Sequence, residues 1–261
     1  LIFVSNPISQ NMNVMRPSLL PGLLETLIFN FNQGEEDIKI FEIGSVFSKQ
    51  KGVKINQREM IGGLIAGKKE LMNWSVKNKP QDFFDLKGNL EDILDSPSSY
   101  NFKRTNISYL HPGKSAHIYK GQKLVGHIGS VNPKLLDKLD VKNEVNFFQL
   151  DINEVSIAKV IKFRKYSRFP IAQRDLSFIV DADIASNMLT DSISLKAGKN
   201  LKEISLFDVY IGKGIPEGKK SLTYALNWQA SNRTMTDLEV DKIINELIAF
   251  LSKKFNAKLR N

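Results

Sequence analysis

The chain has 261 residues, 42% hydrophobic and 25% charged, with 37 Lys and Arg against 28 Asp and Glu, three His and no Cys. That is an ordinary globular composition, long enough for one large domain or two of average size. It excludes disulfides, thiolate zinc sites and cysteine nucleophiles, and no apolar run approaches the ~18 residues of a membrane-spanning helix.

The net charge of +9 is spread over both halves, with 22 cations against 17 acids in residues 1–164 and 15 against 11 in 165–261. It suits an anionic partner such as RNA, and equally a lysine-rich solvated surface. The lack of Cys fits a reducing, cytoplasmic setting. The opening LIFVSNP has neither an initiator Met nor a basic-then-apolar leader, so it reads as the interior of a longer chain.

The first element is a helix. Pro21 suits a first turn, Leu23, Leu24, Leu27, Ile28 and Phe31 share one apolar face, and Gly34 is a stop. IKIFEIGSVF and EMIGGLIAG follow as strands. DFFDLKGNLEDILDS is helical, with Asp82 as cap and Phe83, Leu86, Leu90, Ile93 and Leu94 inward. SAHIYKGQKLVGHIGSV is a hairpin turning near Gly121, and EVNFFQLDI is a further strand. The basic stretch KVIKFRKYS, Lys159 to Ser167, lacks a clear period and marks a boundary. The expected domains are therefore 1–160 and 167–261.

The second domain reads β-α-β-β-α-β. RDLSFIV is a strand, and Ser186 to about Lys199 a helix. LKEISLFDVYIG and KSLTYALNWQ are strands around the turn GKGIPEGK. In the last helix Thr236 and Glu239 form a capping box, and Val240, Ile243, Ile244, Leu247, Ile248 and Leu251 keep helical spacing. AKLR is a short end strand. That order predicts an α+β, ferredoxin-like sandwich. Alternation in SLTYALNWQ puts Leu222, Tyr224, Leu226 and Trp228 under the helices, and Thr223, Ala225, Asn227 and Gln229 on an open face.

Several short signals carry competing readings. GGLIAGKK, Gly62 to Lys69, approaches a phosphate loop, but Lys69 stands where the Mg²⁺-holding hydroxyl belongs, and Leu64-Ile65-Ala66 is strand-like. HIGS, His127 to Ser130, departs from HIGH in its fourth residue; Gly126 and Gly129 fit a tight strand-turn better. His111, His117 and His127 lack metal-ligand spacing. Asp175 and Asp208 beside Arg174 suit a structural ion pair or an RNA-facing polar group better than acid–base chemistry. Tyr210, Lys213, Lys219, Lys220 and Arg233 combine cations with an aromatic, which suits single-stranded RNA, against the alternative of a solvated loop.

Taken in order, NPISQNMNVMRPSLLPGLLETL, IKIFEIGSVF, FFDLKGNLEDIL, HPGKSAHIY, GHIGSVNPKLL, FPIAQRDLSFIV, LFDVYIGKGIPEGKKSL, NRTMTDLEVDKII and AKLR resemble the C-terminal part of bacterial phenylalanyl-tRNA synthetase beta subunits. The resemblance spans nearly the whole chain. It implies a class II synthetase-like antiparallel sheet domain followed by a ferredoxin-fold anticodon-binding domain. It also implies an alpha-subunit partner, an (αβ)₂ tetramer, tRNA(Phe) as ligand, and use of ATP and Mg²⁺ by the whole enzyme.

Active class II enzymes carry a strand like FEIGRVFRNE, whose Arg and Glu grip ATP. Aligned on FEIG, those positions are Ser48 and Gln50. A serine hydroxyl cannot replace a guanidinium at a developing phosphate charge, and loss of one such donor costs about 10²–10³ in rate. The Gly-rich strand ending in Arg that should follow GSVNP is replaced by FFQLDINEV, Phe147 to Val155, with neither Gly nor Arg. The expectation is a non-catalytic domain that binds no cofactor or metal, packs on an alpha subunit and leaves tRNA contact to Arg174, Tyr210, Lys213 and Arg233. Gln173 departs from the basic residue usual before RDL. The alternative is a free-standing RNA-binding relative without an alpha partner.

Overall fold

A computed structural model describes residues 1–9, 13–49, 55–69, 79–95, 99–155 and 166–260. The chain divides into two units, Leu1–Ile161 and Lys162–Asn261. The expected boundary stretch, apart from Tyr166 and Ser167, lies outside the described residues.

The first unit opens with helix α1, Leu20–Asn32. Its end is a Schellman arrangement: Gly34, at φ +90°, donates to Phe31 O (3.0 Å) and Glu35 N donates to Asn30 O (3.1 Å). Six antiparallel strands follow: β1 (Ile38–Lys49), β2 (Ile55–Ala66), β3 (Tyr100–Arg104), β4 (Leu110–Lys120), β5 (Lys123–Val131) and β6 (Val145–Asp151). Their order in the sheet is β1-β2-β6-β5-β4-β3. Helices α2 (Phe83–Ile93) and α3 (Pro133–Lys138) complete the unit.

Strand alternation assigns the two faces. Leu64 and Phe147 pack with Leu19, Leu23 and Leu27 of the α1 region, whereas Ile65 and Phe148 pack with Leu86, Leu90 and Leu94 of α2. The sheet therefore has α1 on one face and α2 on the other. GGLIAGKK is mostly β2, with Leu64, Ile65 and Ala66 buried. The cap on α2 forms as expected, Asp82 and Asp85 satisfying each other's backbone N–H groups.

Three details differ from expectation. Ile93 is 37% exposed, because Leu94, already extended beyond the helix, takes the inward place. Strand β3 and helix α3 are too short to leave a periodic trace in the sequence. Gly126 and Gly129 lie inside β5 rather than in a turn. A Cβ at those sites would come within 2.2 Å of Gln149 O and 2.7 Å of Lys114 O, so close strand approach is what requires Gly there.

The second unit is β7 (Ala172–Asp181), α4 (Ser186–Lys196), β8 (Leu201–Tyr210), β9 (Lys219–Trp228), α5 (Asp237–Phe255) and β10 (Lys258–Leu259). The sheet order β10-β7-β9-β8, antiparallel throughout, is the ferredoxin-like arrangement. Leu222, Tyr224, Leu226 and Trp228 are buried in the core with Leu189, Ile193, Val240 and Leu247. The polar tips in that core find partners on α4. Tyr224 OH donates to Ser186 O (3.1 Å) and Trp228 Nε1 to Ala197 O (3.0 Å), pinning both helix ends to β9. The Thr236–Glu239 capping box starts α5, and left-handed Asn256 ends it. Helix α4 stops at Lys196, three residues before the expected end, with Gly198 at φ +82°.

Candidate functional site

One row of cross-strand neighbours runs across the whole first sheet: Glu42, Gly62, Gln149, His127, His117 and Lys103. Directly paired residues share a face. Here it is the α1 face, since a Cβ on Gly62 would touch Leu19. Ser48, six residues beyond Glu42 on β1, shares that parity; Gln50 lies outside the described residues. This is the face on which a nucleotide-gripping Arg at position 48 would stand.

The chain's own side chains fill the face between β1 and β5. Arg16 lies over Gly44, where its Nη2 would be 2.1 Å from a Cβ. Its guanidinium donates to Glu42 and, through Nε, to Ser45 O (2.9 Å). Buried Gln149 receives two hydrogen bonds on Oε1, from Ser18 Oγ (2.9 Å) and Leu19 N (2.8 Å), and so seats the start of α1. Next to it, Tyr109 OH and His127 Nε2 are 3.0 Å apart. Burial, with lesser contributions from His117 and Arg58, lowers the His127 pKa to about 4, and burial raises that of Tyr109. The histidine of HIGS is thus a half-buried strand residue that pairs with Tyr109. All seven residues of β6 are buried, so FFQLD is core as well. Among the described residues no three His, Asp or Glu side chains converge on a metal position.

In the second unit the four RNA candidates part company. Arg174 pairs with Leu226 across β7 and β9 and so lies on the helix face. Its Nη2 is 2.7 Å from Asp237 Oδ1 and 3.8 Å from Asp241 Oδ1. Arg233 forms a two-pronged bond to Glu239 (2.7 and 2.6 Å). That bond, with the capping backbone of Thr236, holds the Glu239 carboxyl down at about 2. Both arginines are engaged by the start of α5. Asp175 and Asp208 face the opposite side from Arg174, opposite Ala225 and Thr223 of β9.

Tyr210 and Lys213 remain together. Tyr210 ends β8, its hydroxyl donating to Lys213 O (3.2 Å) in the following loop. The guanidinium of Arg260 lies 5.3 Å from the Tyr210 ring centroid. Arg260 was not among the residues expected from sequence. It follows β10 at the far edge, its backbone N bonded to Ser177 O (2.8 Å), so the pair spans the open face. Ser221, the register partner of Tyr210, is buried at 1% exposure, and its Oγ has no hydrogen-bond partner among the described residues. Thr223, Ala225 and Asn227 on the same side are half-buried. The open face thus offers an aromatic ring and a guanidinium. Of Lys219 and Lys220, the first pairs with Asp181 and the second donates to Ala182 O (2.9 Å).

The chain thus carries a six-stranded antiparallel sheet with Ser at position 48 in its first unit, and a ferredoxin-like sheet with an aromatic ring and a guanidinium on one face in its second. The chain belongs to the phenylalanyl-tRNA synthetase beta chain family: the family model of the "Phenylalanyl tRNA synthetase beta chain CLM domain" matches residues 1–152. The "Ferredoxin-fold anticodon binding domain" model matches residues 167–260. Among similar curated proteins are the phenylalanine–tRNA ligase beta subunits of Coxiella burnetii, 36% identical over 99% of this chain, and Buchnera aphidicola, 37% identical over 99%. The chain spans 33% of the length of each. Among solved structures, a pyrrolysyl tRNA synthetase from Desulfitobacterium hafniense overlays with a TM-score of 0.38 at 14% identity, covering 56% of this chain and 49% of that one. No helix among the described residues is long and apolar enough to cross a membrane.

Proposed function

We propose that this chain works as part of the beta subunit of a phenylalanine–tRNA ligase, in the cytoplasm, and that its two units divide two non-catalytic tasks. The first unit packs on the catalytic alpha subunit within an (αβ)₂ assembly. The second holds the anticodon region of tRNA(Phe) on its open sheet face, with Tyr210 and Lys213 as contacts and Arg260 beside them. Arg174 and Arg233 shape the start of α5 instead. ATP and Mg²⁺ are used by the whole enzyme and not by this chain.

The observation that carries the RNA reading is the Tyr210–Arg260 pair on the open face, with Tyr210 36% exposed. A base stacked on an aromatic ring gains about 1–3 kcal/mol, and guanidinium and lysine groups follow the backbone. The fit of ATP to the first unit is poor. Where an arginine would be needed there is Ser48, Arg16 is committed to Glu42 and Ser45 O, and Gln149 and His127 occupy the floor.

The test is fluorescence anisotropy with a labelled anticodon stem-loop, next to an ATP titration of the same protein. Tyr210→Ala should weaken RNA binding by about 5- to 150-fold, the range set by a lost stack of about 1–3 kcal/mol. Tyr210→Phe, which loses only the bond to Lys213 O, should stay close to wild type. Equal binding by Tyr210→Ala and wild type would refute the open-face reading. Saturable ATP binding would refute the non-catalytic one.

A further inference from the structure

The 41 residues from 96 to 136 contain no Asp or Glu, six Lys or Arg, and all three histidines of the chain. They fold into β3, β4 and β5, one end of the first sheet. Two of the cations are neutralised from outside the block, Lys114 by Glu144 and Lys123 by Glu154. Lys103 and Arg104 are different. Both are exposed on β3, the terminal strand of the sheet, and neither makes an ion pair among the described residues.

The two cations project to opposite faces of the edge. Lys103 shares its face with His117 and Tyr119, and its Nζ lies 4.8 Å from the Tyr119 ring centroid. The neighbouring strand supports the other face in the same way, with Lys120 Nζ 5.7 Å from the Tyr100 ring. Seating an ammonium over a ring limits its motion without discharging it. The result is a strand edge with cations on both faces, aromatic support and no carboxylate in its own sequence block. An acidic protein patch would need its charges placed to match. A nucleic-acid backbone presents one charge per nucleotide and fits such an edge in any register.

We propose that the β3–β4 edge of the first unit is a second RNA-contact surface, which tracks the phosphate backbone through Lys103 and Arg104. The proposal takes its ligand, tRNA, from the reading above but uses residues of the other unit. It makes the first unit a contributor to tRNA affinity as well as to assembly.

The test is filter binding of unmodified tRNA to the intact protein over a series of salt concentrations, with three variants. Lys103→Gln/Arg104→Gln removes the proposed contacts. Lys39→Gln/Lys49→Gln removes the same charge from exposed positions on β1, at the opposite edge of the sheet. Tyr210→Ala reports on the second unit. The log–log salt slope of the first variant should fall in magnitude by about 1.8 if the edge meets a duplex stem, or about 1.4 if it meets a single strand, for two lost phosphate contacts. The β1 control should keep the wild-type slope.

Equal slopes for the β3 variant and the β1 control would overturn the proposal, including the case in which the β3 variant instead loses a protein partner. If Tyr210→Ala weakens binding while the β3 variant follows the control, only the second surface is refuted. If neither Tyr210→Ala nor the β3 variant weakens binding, the RNA reading of both units fails.

Discussion

His127 offers the sharpest quantitative test of the first unit. Its imidazole is paired with Tyr109 OH at 3.0 Å, packs 5.8 Å from the Phe147 ring centroid, and faces His117 across the strand pair. Burial, with His117 and Arg58 adding like charge, lowers its pKa from 6.5 to about 4. The unfolded chain takes up a proton near 6.5, whereas the native imidazole stays neutral until about 4. The folded state is therefore fully favoured above pH 6.5, loses stability as pH falls through that window, and has lost the whole contribution below about 4. A gap of ~2.5 units at ~1.4 kcal/mol each makes the loss about 3–4 kcal/mol at most. The assay is urea unfolding at pH 7.5, 5.5 and 4.5, beside an NMR titration of the imidazole Cε1–H. His127→Gln keeps a hydrogen-bonding partner for Tyr109 but cannot titrate, so its stability should fall less over that range. An imidazole midpoint near 6.5, or identical pH profiles for variant and wild type, would refute the reading of His127 as a half-buried, neutral partner of Tyr109.

Two further outcomes follow from the sites. Arg233→Ala should leave stem-loop binding within about twofold of wild type, as expected of a contact internal to the protein. The same change should let the Glu239 carboxyl rise from about 2 toward the ordinary 4.5, read by NMR titration; in wild type the Arg233–Glu239 contribution is present above pH 4.5 and lost as pH falls toward 2. Ser48→Arg should not create measurable adenylate formation in a pyrophosphate-exchange assay, because β6 still supplies buried core side chains where a second arginine would be needed.

The second unit was legible from sequence almost element by element, since its strands alternate cleanly and its last helix carries both period and cap. The open side of β9 follows from parity alone. Strand β8 resists the same treatment: register shifts between Leu201 and Glu203 and between Leu206 and Asp208 break the alternation, so no count along it places Tyr210. Arg233 could have been assigned from sequence, because Glu239 is both its partner and the third helical residue of a readable capping box. Arg174 could not. Its acids, Asp237 and Asp241, lie more than sixty residues away and meet it only through the packing of α5 on β7. Arg260 needed the sheet order, which sets β10 and β8 at opposite edges and lets two long side chains meet over the strands between them. In the first unit, Ser at position 48 was visible in the sequence, but the contacts that fill that face of the sheet were not. Gln149 seating Ser18 and Leu19 is a contact over 130 residues.

That contact bears on the α1 face of the first sheet as a whole. Substitution at one grip residue would leave an open cleft, and a cleft over a sheet can be refilled by a ligand. Here the face is filled by contacts within the chain. Gly44 leaves room for Arg16, Glu42 and Ser45 O hold that guanidinium, and Gln149 accepts from the residues that start α1. In that set Gln149 and Ser18 are buried and satisfy each other, and leaving one such atom unpaired costs about 1–3 kcal/mol; Arg16 and Glu42 are partly exposed. A nucleotide would have to break this network before making its own contacts. The face is therefore better understood as a structural joint that fixes α1 against the sheet, which is what a subunit needs if its task is to present a rigid surface to a partner.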